Sequence, residues 1–193
     1  MKIYTRAGDT GDTGLYGGQR VHKNDVRVES YGAVDEANAA LGVAHSYLPD
    51  NEIRLLVARL QSELFVVGAD LATPTTRDTG DKPVVPRITE QFAADLEPLI
   101  DQYEGELKPL KNFILPGGDK ASAYLHLART ILRRSERRTV SLLQAEPDTT
   151  NPDVIPYLNR LSDLLFVLAR VVNHRAGVPD VPWTRPDVKQ GAV

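Results

Sequence analysis

The chain has 193 residues, enough for one domain that buries a core of its own. It contains no cysteine, which excludes disulfides, thiolate metal sites and cysteine nucleophiles. A formal net charge of −3 argues against non-specific nucleic-acid binding, and the longest apolar run, Leu164 to Val172, is broken by Arg170 and too short to span a bilayer, so neither nucleic acid nor membrane is an expected partner.

The opening Met1-Lys2-Ile3-Tyr4-Thr5 lacks the apolar core of a signal peptide, which makes the cytoplasm the expected location. Residues 1–24 are rich in Gly, Thr and Asp without an apolar period and read as a structured loop. A helix is predicted from Asp25 to Leu48, with Val34, Ala37, Leu41, Ala44 and Leu48 on one face. A second runs from Glu52 to Ala72 with Ile53, Leu56, Leu60, Leu64, Val67 and Leu71 in register, and Thr73-Pro74 stops it. Residues 73–88 read as a long mobile loop of the kind tied to a site.

A weaker helix is predicted over Thr89–Tyr103, with Pro98 as an irregularity, followed by an extended stretch ending in Pro116-Gly117-Gly118. Asp119 then caps a long helix to Ala145, and Asn151-Pro152 opens a last helix to Ala176, ended by Gly177 and Pro179. The expected fold is all-α: a single domain over 1–193, built as a five-helix bundle of a four-helix core plus one. The tail over 178–193 is expected to be loosely held.

Three features carry chemistry. The first is the loop from Thr5 to Gly18, with five glycines over residues 8–18. Glycine lets backbone amides approach phosphate oxygens, Thr5, Thr10 and Thr13 add hydroxyls, and Arg6 and Lys23 add charge. Asp9 and Asp12 suit Mg²⁺, held directly or through water; metal ligands are not otherwise assigned. The loop has no Walker spacing and no dinucleotide fingerprint, so a plain turn is the alternative reading.

The second feature is the helix carrying Arg129, Arg133 and Arg137 at i, i+4, i+8, with Arg134 and Arg138 as a second pair. Guanidinium forks match a triphosphate, but a solvated basic face or an ion-paired subunit interface fits the same pattern. The third is a polar stripe of Asn159, Asp163, Arg170 and Asn173 on the last helix, opposite its apolar face, with Phe166 among them. Asp35 lies similarly opposite the apolar face of the first helix, near Asn38 and Gly42. The histidines, His22, His45, His126 and His174, show no ligand spacing and read as surface residues.

Four segments taken together resemble the corrinoid adenosyltransferases of the propanediol-utilisation (PduO) type, over residues 2–176. They are Tyr4-Thr5-Arg6-Ala7-Gly8-Asp9-Thr10-Gly11, Tyr31-Gly32-Ala33-Val34-Asp35-Glu36-Ala37-Asn38, Phe113-Ile114-Leu115-Pro116-Gly117-Gly118, and Ala128-Arg129-Thr130-Ile131-Leu132-Arg133-Arg134-Ser135-Glu136-Arg137. Leu158-Asn159-Arg160-Leu161-Ser162-Asp163 adds to them. The resemblance implies a homotrimer of five-helix subunits with active sites between neighbours.

It also implies that ATP, with Mg²⁺, is bound by Thr5, Arg6, Ala7, Gly8, Asp9, Gly11, Thr13, Gly14, Lys23, Arg133, Arg134, Ser135, Glu136, Arg137 and Asn159. Asp35 and Arg129 match an inter-subunit ion pair. Phe113 and Phe166 match aromatics at the corrinoid site, where Phe113 displaces the lower axial ligand of cobalt. Ala7 and Gly14 depart from the pattern by lacking hydroxyls, leaving only backbone groups there. The implied reaction moves the 5′-deoxyadenosyl group of ATP to cob(I)alamin, formed from cob(II)alamin by an electron-donating reductase; a B12-dependent mutase is a possible recipient of the product. A non-catalytic ATP-binding regulatory module is the alternative.

Overall fold

The computed structural model describes residues 2–16, 18–75 and 85–185. Two short strands, β1 (Asp12–Gly14) and β2 (Arg20–His22), precede the helices α1 (Val26–Tyr47), α2 (Asn51–Leu71), α3 (Glu90–Ala94), α4 (Glu97–Glu104), α5 (Lys120–Ala145) and α6 (Val154–Arg175). The four long helices form the core: α1 packs on α2 and α5, and α5 packs on α6, while α3 and α4 lie against α6. No helix is long and apolar enough to cross a membrane among the described residues.

Aspartates set three helix starts by accepting from orphan amides of the first turn. Asp25 accepts from the Arg27 amide at 2.8 Å, Asp50 from the Glu52 amide at 2.8 Å and Asp119 from the Ala121 amide at 2.8 Å. The predicted apolar faces of the four long helices are the ones buried, with Leu41, Ile53, Leu60, Leu64, Leu125, Leu132, Leu161 and Leu165 at the centre. A rim of polar anchors fixes how the helix ends meet. The Arg27 side chain, 2% exposed, donates to Glu146 (2.6 Å), to the Leu71 carbonyl (2.7 Å) and to the Thr149 hydroxyl (2.9 Å). Arg175 on α6 bonds Asp50, and also Glu106 at 2.6 Å, closing the opposite end.

Several expectations need correction. The helix expected over 89–103 is broken into α3 and α4, because Pro98 has no amide to continue the ladder and Leu96 turns fully into the core. The last helix starts at Val154 rather than Asn151. Asn151 is occupied instead: its amide donates to Asp70 (2.7 Å) and to the Ile88 carbonyl (2.8 Å). The N-terminal stretch contains an antiparallel hairpin, with Thr13 opposite Val21. Residues 76–84 of the expected mobile loop lie outside the described residues. On its C-terminal side, Asp70 holds Arg87 (2.6 Å) and the Ile88 amide (2.8 Å).

The tail from residue 178, expected to be loose, is held over its described part: 178–185 pairs with the stretch before α5. The Leu115 amide donates to the Val181 carbonyl at 2.8 Å and the Trp183 amide to the Phe113 carbonyl at 2.7 Å. Arg170 and Asn173, expected on an outer stripe, are buried beneath these two segments. His126, expected at the surface, is also buried, at 3% exposure.

Arg27→Ala removes the buried hub joining the ends of α2 and α5. It is expected to destabilise the fold by about 3 kcal/mol, read from the urea midpoint at unchanged slope. A loss below about 1 kcal/mol would show that the hub is dispensable.

Candidate functional site: a glycine loop, an arginine row and an aromatic cavity

The N-terminal loop folds on itself. The Asp9 amide donates to the Arg6 carbonyl (3.3 Å), the Gly11 amide to the Gly8 carbonyl (3.2 Å) and the Lys23 amide to the Gly11 carbonyl (2.8 Å). Gly11 at φ +92° takes a left-handed turn that a side chain would strain, and Arg6 adopts φ 61° despite having one. A methyl placed on Gly8 would lie 3.3 Å from the Lys23 ammonium nitrogen, so that ammonium sits directly over the turn. Arg20 donates to the Ala7 carbonyl at 2.6 Å, and Thr5 accepts from the Ala7 amide at 3.4 Å. Thr13 and Gly14 follow in β1, and nothing lies within 4 Å of a methyl built on Gly14. Thr5, Arg6, Ala7, Gly8, Asp9, Gly11, Thr13, Gly14 and Lys23 are therefore gathered in one small, solvent-facing turn with positive charge above it.

The predicted arginine cluster separates into two sets. Arg134 pairs with Glu36, and Arg138 with Glu29 at 3.2 Å, so this set straps α5 to α1. Arg133 and Arg137 remain exposed; the Arg137 guanidinium donates to the Arg133 carbonyl at 3.1 Å, and with Glu136 and Val140 they line a small hollow of about 230 Å³. Asn159 on α6 donates to Glu136 at 3.2 Å, which places it beside that hollow. Ser135, expected at the ATP site, is fully buried, and its hydroxyl donates to the Ala33 carbonyl at 2.6 Å. Arg134 is likewise engaged within the chain by Glu36.

One turn towards the start of α5, Arg129 enters a cavity of about 970 Å³, lined also by Phe113, Ile114, Phe166 and Trp183. The Arg129 guanidinium lies 5.7 Å from the centre of the Phe166 ring, and the His126 ring meets Phe166 edge-on at 5.9 Å. Burial, then the neighbouring charge of Arg133, lowers the Arg129 pKa, and its Nε is buried with no partner among the described residues. Burial first, and Arg129 second, lower the His126 pKa, against an opposing pull from Asp180. Its ring nitrogens are both buried without partners among the described residues. The His126 imidazole is therefore a neutral support under Phe166.

Phe113 is 82% exposed at the cavity mouth. Trp183 escapes sequence reasoning, because the tail reads as loose; its signal is the chain's single tryptophan standing in a proline-rich stretch.

The structure brings the cavity and the Arg133–Arg137 hollow onto one stripe of α5. It does not bring the glycine loop to that stripe. The described bonds of residues 5–14 are with each other and with residues 20–23, and none joins them to α5. Asp35 is exposed on α1, and no ion pair joins it to Arg129 within the chain. No group of three His, Asp or Glu side chains gathers as a metal site among the described residues.

The chain is similar to known proteins over nearly its whole length. Residues 3–172 match the family model described as cobalamin adenosyltransferase. A corrinoid adenosyltransferase of Bacillus subtilis is 46% identical over 96% of this chain and 93% of its own length. One from Mycobacterium tuberculosis is 45% identical over 94% of this chain and 92% of its own. Among solved structures, a phenylalanine-to-histidine variant of a PduO-type ATP:corrinoid adenosyltransferase from Lactobacillus reuteri, complexed with cobalamin and ATP, superposes with a TM-score of 0.87 at 39% identity, covering 95% of this chain and 97% of that one. The chain belongs to the cobalamin adenosyltransferase family.

Proposed function

We propose that this chain transfers the 5′-deoxyadenosyl group of ATP to the cobalt of a reduced corrinoid, releasing triphosphate. The observation that carries the reading is the shared stripe of α5. Arg129 borders a cavity roomy enough for a flat macrocycle, and one turn on, Arg133 and Arg137 stand free for phosphate oxygens. The L. reuteri relative was solved with both cobalamin and ATP, which supports two adjoining ligand sites of this kind.

In this reading the triphosphate lies across Arg133 and Arg137, with Asn159 and Glu136 at its edge. The amides of the Thr5–Gly14 turn and the Lys23 ammonium complete the cradle. The loop and the arginine row are apart within one chain, so the loop comes from a neighbouring copy. Asp35 of that copy, without an ion pair among the described residues, meets Arg129, whose buried Nε likewise has no partner among them. A homotrimer closes such a head-to-tail interface into a ring. Mg²⁺ would arrive with the phosphates and would help neutralise their charge. Asp9 is the acidic group of the loop suited to it, since Asp12 is paired with His22 at 2.7 Å.

The corrinoid enters the cavity as Co(II), and Phe113 at its mouth takes the place of the lower axial ligand. The four-coordinate cobalt then accepts one electron from a reductase. The resulting Co(I) attacks C5′ of the ribose: the cobalt–carbon bond forms, the C5′–oxygen bond breaks, and the bond pair leaves on triphosphate. Cobalt supplies the nucleophile, so the protein needs no general base. Its tasks are positioning, water exclusion and neutralising the leaving group. The cytoplasm is the proposed location.

Two measurements test this. Protein mixed anaerobically with Mg-ATP and chemically reduced cobalamin should develop the absorbance of adenosylcobalamin, with one triphosphate released per product. Intact ATP binding without product would instead favour a nucleotide-sensing module. Arg133→Ala should raise the KM for ATP by about tenfold to a hundredfold, the value of a lost charge-assisted hydrogen bond, with an unchanged melting temperature. An unaltered ATP affinity would remove Arg133 from the phosphate site.

A further inference from the structure

Phe113 has the most demanding position of any residue in the cavity and little side-chain burial to hold it. It is 82% exposed and stands in a stretch without helix or sheet of its own, between α4 and α5. Its place must therefore be set through its backbone. Two buried polar residues of α6, three positions apart, do this from below.

Arg170 is 6% exposed and forks onto two segments at once. Its Nε donates to Asp180 at 2.9 Å, and its Nη2 to the Lys108 carbonyl at 2.9 Å. Asn173 is 4% exposed and grips the far side of the same arch. Its amide nitrogen donates to the Gly117 carbonyl at 3.1 Å, and its Oδ1 accepts from the Asp119 amide at 2.9 Å. Gly118 is at φ +102°, and a methyl there would fall 2.2 Å from the Asn173 Oδ1, so the arch closes onto Asn173 only because residue 118 is a glycine. Residues 108–117 are thus pinned at both ends. Residues 181–183 lie antiparallel along the middle of the arch, with the Trp183 amide bonded to the Phe113 carbonyl and the Leu115 amide to the Val181 carbonyl.

We propose that the Arg170–Asp180 clasp is a positioning device for Phe113: by seating the tail on the arch, it holds the phenyl ring at the cavity mouth where the lower face of the corrinoid must lie. This rests on the adenosyltransferase reading above. Arg170 and Asp180 touch no substrate; they act through the backbone pairing of Phe113 with Trp183. The consequence is selective. Loosening the clasp disturbs removal of the cobalt's lower ligand and leaves the ATP site on α5 untouched, because among the described residues Arg133 and Arg137 share no bond with the arch or the tail.

The test uses the full chain with Asp180→Asn, which removes the charge while keeping the shape. With ATP saturating and cob(II)alamin titrated, the paramagnetic signal of the four-coordinate species should fall, and the KM for the corrinoid should rise about tenfold, as for one lost charged hydrogen bond. The KM for ATP should stay at the wild-type value. Hydrogen exchange at the Trp183 and Leu115 amides should accelerate by a similar factor, a readout that needs no catalysis.

Asp180→Asn leaves a buried guanidinium without its counter-ion, so a second pair of variants guards against simple misfolding. Leu115→Ala keeps the amide that seats Val181 on the arch, whereas Leu115→Pro removes it, and both alter an exposed position that does not line the cavity. The proline variant should lose the four-coordinate species and the alanine variant should retain it. Equal behaviour of these two, or unchanged amide exchange and cobalt spectrum in Asp180→Asn, would overturn the proposal. A wild-type chain that makes no adenosylcobalamin, while exchange still responds to Asp180→Asn, would overturn the reading of function and leave the clasp standing.

Discussion

The rotation of α5 about its own axis is the constraint from which the site follows. The helix is pressed against α1 through small and hydroxylated residues. The Ser135 hydroxyl bonds the Ala33 carbonyl at 2.6 Å, and the hydroxyls of Ser30 and Thr139 meet at 3.1 Å, all in dry surroundings. A buried hydroxyl without a partner costs about 1–3 kcal/mol, so turning α5 by even one position is penalised at both contacts. Glu36 and Glu29 on α1 then take Arg134 and Arg138 as straps. With these groups facing α1 and Leu125, Leu132 and Leu142 facing the core, the stripe left over is Arg129, Arg133 and Arg137. No described bond joins that stripe to the glycine loop.

The division of labour among charged residues follows from burial. Arg27, Asp70 and Arg170 are buried, multiply bonded and used to join segments far apart in sequence. Arg133 and Arg137 keep free guanidinium edges. Arg129 is intermediate: half-buried, stacked on Phe166, with one nitrogen unpartnered. In a closed domain such an orphan donor would be a defect. At the border of a cavity, it is a donor left free for a group from outside the described residues. The neutral His126 beneath Phe166 avoids adding another positive charge beside Arg129.

Much of this is legible from periodicity. The buried faces of α1, α2, α5 and α6 fall where a 3.6-residue repeat puts them, since long amphipathic helices leave little ambiguity. The polar side of α6 is where periodicity fails. Projecting α6 onto a helical wheel places Arg170 opposite Leu161 and Leu165 and Asn173 on its flank, but no wheel knows that residues 108–119 and 180–183 fold over that stripe. His126 misleads in the same way, because the same covering segments sit above it. The site is legible in parts: the exposed arginine row by spacing, the glycine turn by composition, and Phe113 and Phe166 through resemblance. The chemistry of α5 looks like one cluster of five arginines, and only the positions of Glu29 and Glu36 on α1 divide it into straps and free groups. Trp183 stays hidden because its role depends on non-local strand pairing, which leaves no periodic trace in the residues around it.

The separation of loop and arginine row within one chain leads to a direct measurement. Two variants, Lys23→Ala in the loop and Arg133→Ala on α5, should each be nearly inactive in the adenosylation of cobalamin. Unfolded together and refolded as a mixture, they should regain about a quarter of the wild-type rate, because a head-to-tail ring assembled at random unites an intact loop with an intact helix at that fraction of its interfaces. A mixture no more active than its separate components would place both halves of the ATP site in a single chain.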